Sequence, residues 1–520
     1  MDEERQKESE NTKEGFVKWF SELSNNDVAI AGGKGASLSE MYNNHFSIPP
    51  GFVITAKAYR YFIQQSGLDD KIKEILRDLD IEDTEKLQNA SKNIRDIMRK
   101  EEIPKEMEEA ILEAYDILDV DKKNMENVGG GALEILKTGH EPPFVAVRSS
   151  ATTEDLADAS FAGQQESFLN IKGNEELLSK IKECFSSLFT ARAIYYRKRK
   201  GFEHDKSYLA IVVQKMVDSE KSGVIFSKNP VTNDDSILME AVWGLGEGIV
   251  SGRIKPDQYI VDFNLDNFNV SKSKINDKKI AIVRDSSGKN AIVKLTEEKS
   301  KQQVLSSYEI KILAQNAKKL EEHYKKPQDI EFAIDGNEIF IVQSRPITTK
   351  ISKGEESEIR GEILVSGLGA SPGVASGTVR LIKNIHELSK IKSGDVLVTE
   401  MTNPDMVVAM EKSAGIVTDE GGLTSHASIV SREMGIPAVV GTGNATSTLK
   451  DGMKIMAASS DLGMKNTIVI HNEEGMDEAS VFTPTKVLEP FCSYQINPLD
   501  YFPQHSLERI SVVSAGESAE

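Results

Sequence analysis

The chain has 520 residues and a formal net charge of −19, from 82 acidic and 63 basic side chains. This length allows two or three domains with separate cores, and the acidic balance disfavours a nucleic-acid or anionic-membrane surface. No apolar run approaches the roughly 20 residues of a membrane span, and the polar start of the chain predicts neither a secretory signal nor an anchor. We therefore expect neither membrane nor nucleic-acid partners.

The two cysteines, Cys184 and Cys492, lie far apart and have no CxxC spacing. They predict a reducing, cytoplasmic location and argue against a metal site built from cysteines.

The order of apolar and polar segments predicts an α+β protein with several domains. Residues 1–13 are predicted to be a disordered tip, and 14–348 a large domain of mixed helices and strands. The polar, charged segment 349–362 predicts a linker. Residues 363–482 predict a second domain, whereas the tail 483–520 has no predicted structure. The periodicity predicts helices over 70–80 and 108–120, and strands over 208–217, 338–346, 377–382, 394–400 and 415–419.

The segment AGGKGASLSEM (31–41) is the first candidate phosphate-binding element. Its glycines allow the backbone to approach a ligand, Lys34 supplies a positive charge, and a helix is predicted to start just beyond. The spacing is not that of a Walker A loop. A plain turn with an exposed lysine explains this pattern equally well.

The segment VAVRSSATTEDLADASFAGQQES (145–167) begins with a strand-like run that ends at Arg148. A guanidinium at this place could hold phosphate oxygens in a bidentate manner. On the residues alone, a loop arginine paired with Glu154 or Asp155 is the favoured alternative. Further along, the glycine-rich run in 238–261 predicts a close-packed loop and has little specificity.

The hairpin PQDIEFAIDGNEIFIVQSRP (327–346) has its turn at 335–337. We predict a three-residue loop, because a two-residue loop 335–336 would place Glu331 on the apolar face. Glu331 then opposes Ile341 and is a diagonal neighbour of Gln343, at roughly 7–8 Å. The predicted apolar face consists of Ile330, Phe332, Ile334, Phe340 and Val342.

The opposite face of this hairpin predicts a cation site. Glu331 and Gln343 carry oxygen atoms, and Arg345 lies beside them on the same face. Mg²⁺ takes such oxygen ligands and completes its shell with phosphates and water. A solvated outer face is the alternative interpretation.

In the second domain, His426 lies in GIVTDEGGLTSHASIVSREMGIPAVVG (415–441). Thr424 or Ser425 is a natural N-cap, and Gly435 ends the predicted helix. His426 therefore falls in the first turn, where backbone N–H groups and the helix dipole favour an anion.

A neutral imidazole at this place is a competent nucleophile. The helix N-terminus is expected to depress its proton affinity, and the Thr424 hydroxyl and free N–H groups could hold a phosphoryl group on His426. A zinc site would need partner ligands, and no other His or Cys lies nearby in the sequence. A structural histidine remains the alternative.

Together these motifs resemble the phosphoenolpyruvate synthase family (pyruvate, water dikinase) and its relative pyruvate phosphate dikinase. The resemblance covers roughly residues 14–482. The matching motifs are GGKGASL, IPPGFVIT, VRSSATTEDLADASFAGQQES, LFTARAIYYR, VVQKMV, EAVWGLGEGIVSG, DIEFAIDG, IVQSRP, SPGVASG, MTNPDM and GGLTSHASIVSREMGIPAVVG.

This resemblance implies an ATP-grasp-type nucleotide-binding domain, followed by a swivelling β/β/α phosphohistidine domain, with 349–362 as the hinge. ATP would phosphorylate His426 through a pyrophosphoryl-enzyme intermediate, and pyruvate would then accept the phosphoryl group, giving AMP, phosphoenolpyruvate and phosphate. By motif position, the resemblance implies catalytic roles for His426, Thr424, Arg148 and Arg345. It implies phosphate binding by Lys34, Arg148 and Arg345, with Gly163, Ser167 and Gln214 around the nucleotide, and Mg²⁺ binding by Glu331 and Gln343.

The chain departs from the family in two places. About thirty residues follow TPTKV (483–487), too few for the family's pyruvate-binding barrel of about 250 residues. We therefore expect the barrel on a separate chain. The segment MKIMAASSDLGMKN (453–466) stands where the family has an Asp-Gly pair, and we have no functional account of it.

Two other hypotheses on the function stay open. A dikinase for another acceptor, similar to the rifampicin phosphotransferases, is ranked lower because the short 349–362 linker has no room for their acceptor domain. A self-phosphorylating carrier, or a truncated relic, is the third possibility.

Overall fold

The computed structural model describes residues 15–118, 141–152, 166–202, 204, 207–230, 234–250, 252–264, 267–347, 362–423, 425–459 and 467–471. The described residues form two units, with the bulk of the first in 15–347 and the bulk of the second in 362–471. The predicted tip, the tail 483–520 and nearly all of the predicted linker lie outside the described residues. No helix in the described ranges is long and apolar enough to cross a membrane.

The first sheet of the first unit is antiparallel, with the strand order β1-β2-β5-β3-β4. Its central strands β3 and β5 are buried almost throughout, and β5 begins with the continuous apolar run LAIVV. The strands are β1 Val17–Trp19, β2 Gly51–Ile54, β3 Val145–Ala151, β4 Ser167–Ile171 and β5 Leu209–Lys215.

Helices cover this sheet, and all but the first of them share a large apolar core with it. Several begin where the sequence provides a cap, because a side-chain oxygen accepts from an otherwise unpaired N–H group. Thr55 and Asp83 are examples. The helices are α1 Val28–Asn43, α2 Ala56–Gln65, α3 Leu68–Leu76, α4 Thr84–Lys100, α5 Lys105–Asp116, α6 Asn174–Ser187 and α7 Ala191–Lys200.

The second sheet of the first unit has the order β13-β12-β6-β7-β8-β9 and is also antiparallel. A separate hairpin, β10–β11, accompanies it. The strands are β6 Lys221–Phe226, β7 Ile237–Trp243, β8 Asp257–Asn264, β9 Asn267–Lys274, β10 Ile280–Arg284, β11 Asn290–Lys294, β12 Gln328–Asp335 and β13 Glu338–Pro346. The helices are α8 Glu247–Val250, α9 Glu297–Lys301 and α10 Ser307–Tyr324, which begins with a capping box between Ser306 and Glu309.

The strands of the second unit close into a barrel in the order β14-β18-β17-β16-β15-β19-β20. Strands β15 to β18 pair in parallel, while β14, β19 and β20 join by antiparallel pairing. The strands are β14 Glu362–Ser371, β15 Gly373–Leu381, β16 Val396–Thr399, β17 Gly415–Thr418, β18 Ala438–Val440, β19 Lys454–Ser459 and β20 Thr467–His471. The helices are α11 Val407–Lys412, α12 His426–Met434 and α13 Ala445–Thr448.

The predicted three-residue hairpin loop is wrong. Asp335 pairs with Glu338, which leaves a two-residue loop in which Gly336 has φ +56°. A regular ladder from this turn would bring Val342 opposite Glu331. Instead, a bulge leaves Val342 without a pair, and Glu331 pairs directly with Gln343.

The bulge also corrects the predicted apolar face. Ile341 pairs with Phe332, not with Glu331, and it is fully buried in the same core. Phe340 pairs with Ala333, so Phe340 and Val342 do not belong to the predicted apolar face. Side chains alternate along a strand, so one unpaired residue reverses which positions of β13 face the core before and after it.

The GGKG segment also differs from the prediction. It lies inside α1 rather than before a helix, and the helix is broken at Gly32, which has φ +69° and ψ 173°. A Cβ atom at Gly32 would lie 2.2 Å from the Ser150 carbonyl oxygen. The glycine therefore lets α1 approach the end of β3, and the close contact is with protein backbone.

Candidate functional site

A cavity of about 660 Å³ lies in the first unit, lined by strands of both sheets. Its volume is within the usual range of small-molecule sites. Four of the predicted site residues line it, namely Arg148, Ser167, Gln214 and Glu331. They come from β3, β4, β5 and β12, so strands of both sheets contribute to the cavity.

Arg148 connects the two sheets at this cavity. The residue is 9% exposed. Its Nη1 atom donates to the Val342 carbonyl at 2.9 Å, and its Nη2 atom donates to the Gln343 amide oxygen. The Glu331 carboxylate lies 3.6 Å from Nη2. The bulge at Val342 is what presents this carbonyl to the guanidinium.

Glu331 and Gln343 have oxygen atoms that converge on one point, since both contact the same Arg148 nitrogen. A carboxylate and an amide oxygen suit Mg²⁺, which completes its shell with phosphates and water. Within the described residues, no three His, Cys, Asp or Glu side chains gather into a metal cluster. Binding of Mg²⁺ by Glu331 and Gln343 stays a prediction.

Arg345 forms an ion pair on the hairpin with Asp329, which is its cross-strand partner. The Nε and Nη2 atoms of Arg345 both lie 2.9 Å from Asp329 Oδ2. Arg345 does not line the cavity, and its phosphate-binding role stays a prediction. Asp329 was missed by the sequence reasoning, although the two-residue period places it on the face of Glu331.

Lys34 is partly exposed in α1, two residues after the break at Gly32. It is not among the residues that line the cavity. The neighbouring backbone is fixed by Ser150, whose hydroxyl donates to the Ala31 carbonyl at 2.8 Å and accepts from the Gly35 N–H at 3.1 Å. Binding of phosphate by Lys34 stays a prediction.

Gln214 and Ser167 both line the cavity but differ in exposure. Gln214 is buried, and its amide oxygen is 3.5 Å from Arg148 Nη1 while its Nε2 atom donates to the Pro49 carbonyl at 3.4 Å. Ser167 pairs with Arg148 on the adjacent strand and is exposed. Gly163 lies outside the described residues.

A polar chain at the cavity wall was missed by the sequence reasoning. Asn170 donates to the Asn290 amide oxygen at 2.5 Å, and Asn290 donates to Glu247. All three residues line the cavity. Asn170 has φ +57°, which asparagine tolerates better than most residues. No sequence motif indicated Asn290, because its hairpin β10–β11 carries no recognisable pattern.

His426 is the first residue of α12, and Gly435 with φ +66° follows the last residue of that helix. Ala427 and Val430 of this helix are buried. Thr424 lies outside the described residues. Burial lowers the pKa of the His426 imidazole to about 3, so the ring is neutral at pH 7. The sequence predicts this depressed proton affinity from the helix N-terminus, whereas its main physical cause is burial.

Hydrogen bonds fix the loop that precedes His426. Arg432, two turns along α12, donates to the Leu423 carbonyl at 2.8 Å and to the Ala370 carbonyl at 3.1 Å. Ser428 donates to the Gly422 carbonyl at 2.6 Å. These bonds hold the glycine-rich loop against its own helix, so the position of His426 is set by the backbone around it.

At the other end of this loop, Asp419 accepts from the Thr442 hydroxyl at 3.0 Å and from the Thr446 N–H at 3.1 Å. Gly441 has φ +67°, and a Cβ atom there would lie 2.7 Å from the Gly421 carbonyl oxygen. The loop is therefore anchored on both sides.

Comparisons with known families match both units. The family described as "Pyruvate phosphate dikinase, AMP/ATP-binding domain" matches residues 28–362. The family described as "PEP-utilising enzyme, mobile domain" matches residues 391–460.

Curated relatives are similar over most of the chain. The chain is 44% identical over 483 residues to a "Probable phosphoenolpyruvate synthase" of Methanothermobacter thermautotrophicus, covering 93% of this chain and 68% of that protein. It is 50% identical over 445 residues to one of Archaeoglobus fulgidus, covering 84% and 56%. It is 44% identical over 485 residues to a "Phosphoenolpyruvate synthase" of Pyrococcus furiosus, covering 85% and 57%. The chain thus spans between about half and two thirds of the length of these relatives.

Proposed function

Because the chain belongs to the pyruvate phosphate dikinase and phosphoenolpyruvate synthase family, we propose that it uses ATP to phosphorylate its own His426. The observation that carries this proposal is the pairing of two sites in one chain. One is the cavity that Arg148, Gln214 and Glu331 line, and the other is a neutral histidine at the start of a helix.

The first unit, in this proposal, has an ATP-grasp-type fold and binds Mg²⁺ and ATP in the 660 Å³ cavity. Arg148, Lys34 and Arg345 bind the phosphates, while Ser167, Gln214 and Gly163 surround the nucleotide. Glu331 and Gln343 hold the cation, whose bound charge would neutralise the phosphate oxygens. The contact of both ligand oxygens with Arg148 supports this assignment, since a phosphate drawn to the guanidinium would lie beside the cation.

The second unit is proposed to be a swivelling phosphohistidine domain, with 349–362 as its hinge. His426 attacks the β-phosphorus of ATP, and the bond to the α-phosphate oxygen breaks, so that AMP leaves. Water then removes the γ-phosphoryl group as phosphate, which leaves the β-phosphoryl group on His426. Thr424 and the N–H groups of the first turn of α12 would stabilise the charge that His426 acquires.

The proposed final acceptor is pyruvate, which gives the overall reaction ATP, pyruvate and water to AMP, phosphoenolpyruvate and phosphate. The names of the relatives support this acceptor. We propose that a barrel domain on a separate chain supplies the pyruvate site. Mixing the protein with candidate barrel chains, pyruvate, ATP and Mg²⁺ tests this step, and formation of AMP without phosphoenolpyruvate with every candidate would argue against it.

The first half-reaction is tested with ATP labelled at the β- or γ-phosphate. We expect acid-labile, alkali-stable label from the β-position on the wild-type protein, one AMP released per labelled chain, and no label on His426→Ala. His45→Asn is the matched control, because His45 is exposed and its φ of +61° is one that asparagine tolerates. Equal labelling of His426→Ala and the wild type would refute the assignment of His426.

A further inference from the structure

A second cavity, of about 460 Å³, lies in the helical layer of the first unit. It is lined by residues of α2 and α3, by Phe189 between α6 and α7, and by His204, Ser207 and Tyr208 before β5, and it shares no lining residue with the nucleotide cavity. Its volume is within the range that holds small organic ligands. Nothing in the proposed phosphoryl transfer uses this cavity.

The cavity has an apolar wall with aromatic rings. The wall is large enough for a flat hydrophobic group and offers ring faces and edges for it to pack against. The apolar lining residues are Tyr59, Ile63, Ile72, Leu76, Phe189 and Tyr208.

Two guanidinium groups at the cavity have no carboxylate partner among the described residues. Arg60 lies over the Tyr208 ring, with its Cζ atom 5.2 Å from the ring centroid. Arg77 forms no ion pair within the described ranges. The acidic lining residue Asp69 is 2.7 Å from Lys73, which offsets its charge. The described lining therefore keeps an excess of positive charge at the rim.

A third guanidinium lies behind the cavity wall. Arg197 is 1% exposed, and its Nε atom donates to His204 Nδ1 at 3.0 Å. Its Nη2 atom has no hydrogen-bond partner among the described residues. Burial lowers the pKa of Arg197 to about 10, so the group stays cationic at pH 7.

Arg197 contacts two residues that line the cavity. His204 accepts its hydrogen bond, and Phe189 lies under it at 5.4 Å from the ring centroid to Cζ. Both line the cavity. A buried charge without a counterion is costly, and an anion in the adjacent cavity would offset part of that cost.

We propose that this second cavity binds a small organic anion that has one aromatic ring and one phosphate or carboxylate group. The ring packs on Phe189 and Tyr208, and the anionic group accepts from Arg60 and Arg77, whose planar donors match both kinds of anion. The field of Arg197 adds to the attraction from behind the wall.

Calorimetric titration of the full chain with phenyl phosphate, and separately with benzoate, tests this proposal. A saturating Mg²⁺ complex of a non-hydrolysable ATP analogue is present, so that the nucleotide cavity is occupied. We expect saturable binding of at least one probe at a single site, and the better probe identifies the preferred anionic group. In the double variant Arg60→Gln, Arg77→Gln the dissociation constant should rise at least about tenfold, as loss of charged hydrogen bonds implies.

Lys71→Gln is the matched control, because Lys71 is an exposed cation on α3 that pairs with Glu101 and does not line the cavity. Its dissociation constant should equal that of the wild type. Thermal unfolding of each variant checks the fold, which exposed substitutions leave intact. Absence of saturable binding at millimolar concentrations overturns the proposal, as does binding that the double variant leaves unchanged or that Lys71→Gln weakens equally.

Discussion

Replacement of Arg148 by lysine separates the geometry of this side chain from its charge. The guanidinium donates from two nitrogen atoms, one to the Val342 carbonyl and the other to the Gln343 amide oxygen. A lysine ammonium has its donors on a single nitrogen atom and lacks the planar fork that reaches these two acceptors from two nitrogen atoms. Arg148→Lys therefore keeps the positive charge of the cavity but leaves Gln343 without its fixed orientation.

The size of the effect follows from the lost bond. A hydrogen bond from a charged donor contributes about 1.5–3 kcal/mol. At about 1.4 kcal/mol for each factor of ten, its loss lowers kcat/KM for ATP roughly 10- to 150-fold. A role that depends on charge alone predicts no such loss.

The assay is the initial rate of β-label incorporation into His426 as a function of ATP concentration. Arg199→Lys is the control, because Arg199 is exposed and only 3.8 Å from Glu82 in a surface ion pair. Thermal unfolding verifies that both variants are folded. If Arg148→Lys retains wild-type kcat/KM, the two hydrogen bonds from Arg148 to the hairpin have no part in the use of ATP, and the role given to the guanidinium geometry is wrong.

Three further substitutions have defined outcomes. Glu331→Gln should raise the Mg²⁺ concentration for half-maximal labelling at least about tenfold, since even loss of a residue that only contacts a metal ligand weakens metal binding by that factor. An unchanged Mg²⁺ titration would show that Glu331 does not belong to the cation site. Gly32→Ala should destabilise the protein by about 2–6 kcal/mol, from backbone strain and overlap with β3, whereas Gly201→Ala, at φ +73° in open space, should cost only about 1–2 kcal/mol. Lys278→Met leaves a fully buried carboxylate unpaired and should cost about 3–5 kcal/mol in denaturant unfolding, while the exposed neighbour Lys279→Met should cost almost nothing.

Local patterns predicted much of the secondary structure. The run 338–346 is β13 over the same residues, and Gly435 follows the last residue of α12 as expected. Such features depend on residues close in sequence, namely the period of two in strands and the glycine in a left-handed conformation. The motif resemblance, in turn, indicated the family that the comparisons identify.

The predicted hairpin loop shows where local patterns were insufficient. A period of two describes only regular ladders, and among these a three-residue loop keeps Glu331 off the apolar face. In the structure, a bulge at Val342 keeps Glu331 off the apolar face, and Ile341 packs in the core. A bulge leaves one residue without its partner on the neighbouring strand. Contacts with distant residues compensate for this loss, and here Arg148 donates a hydrogen bond to the unpaired Val342 carbonyl. Those contacts cannot be read from the hairpin itself.

The sequence by itself determined the candidate residues, the helix that begins at His426 and the family, because these depend on residue types at fixed local spacing. Only the tertiary structure decided that Arg148 meets Glu331 and Gln343 while Arg345 pairs with Asp329. Arg148 and Gln343 are 195 positions apart. Their contact requires the two sheets to meet at the cavity, and that arrangement is set by the whole core rather than by any one segment.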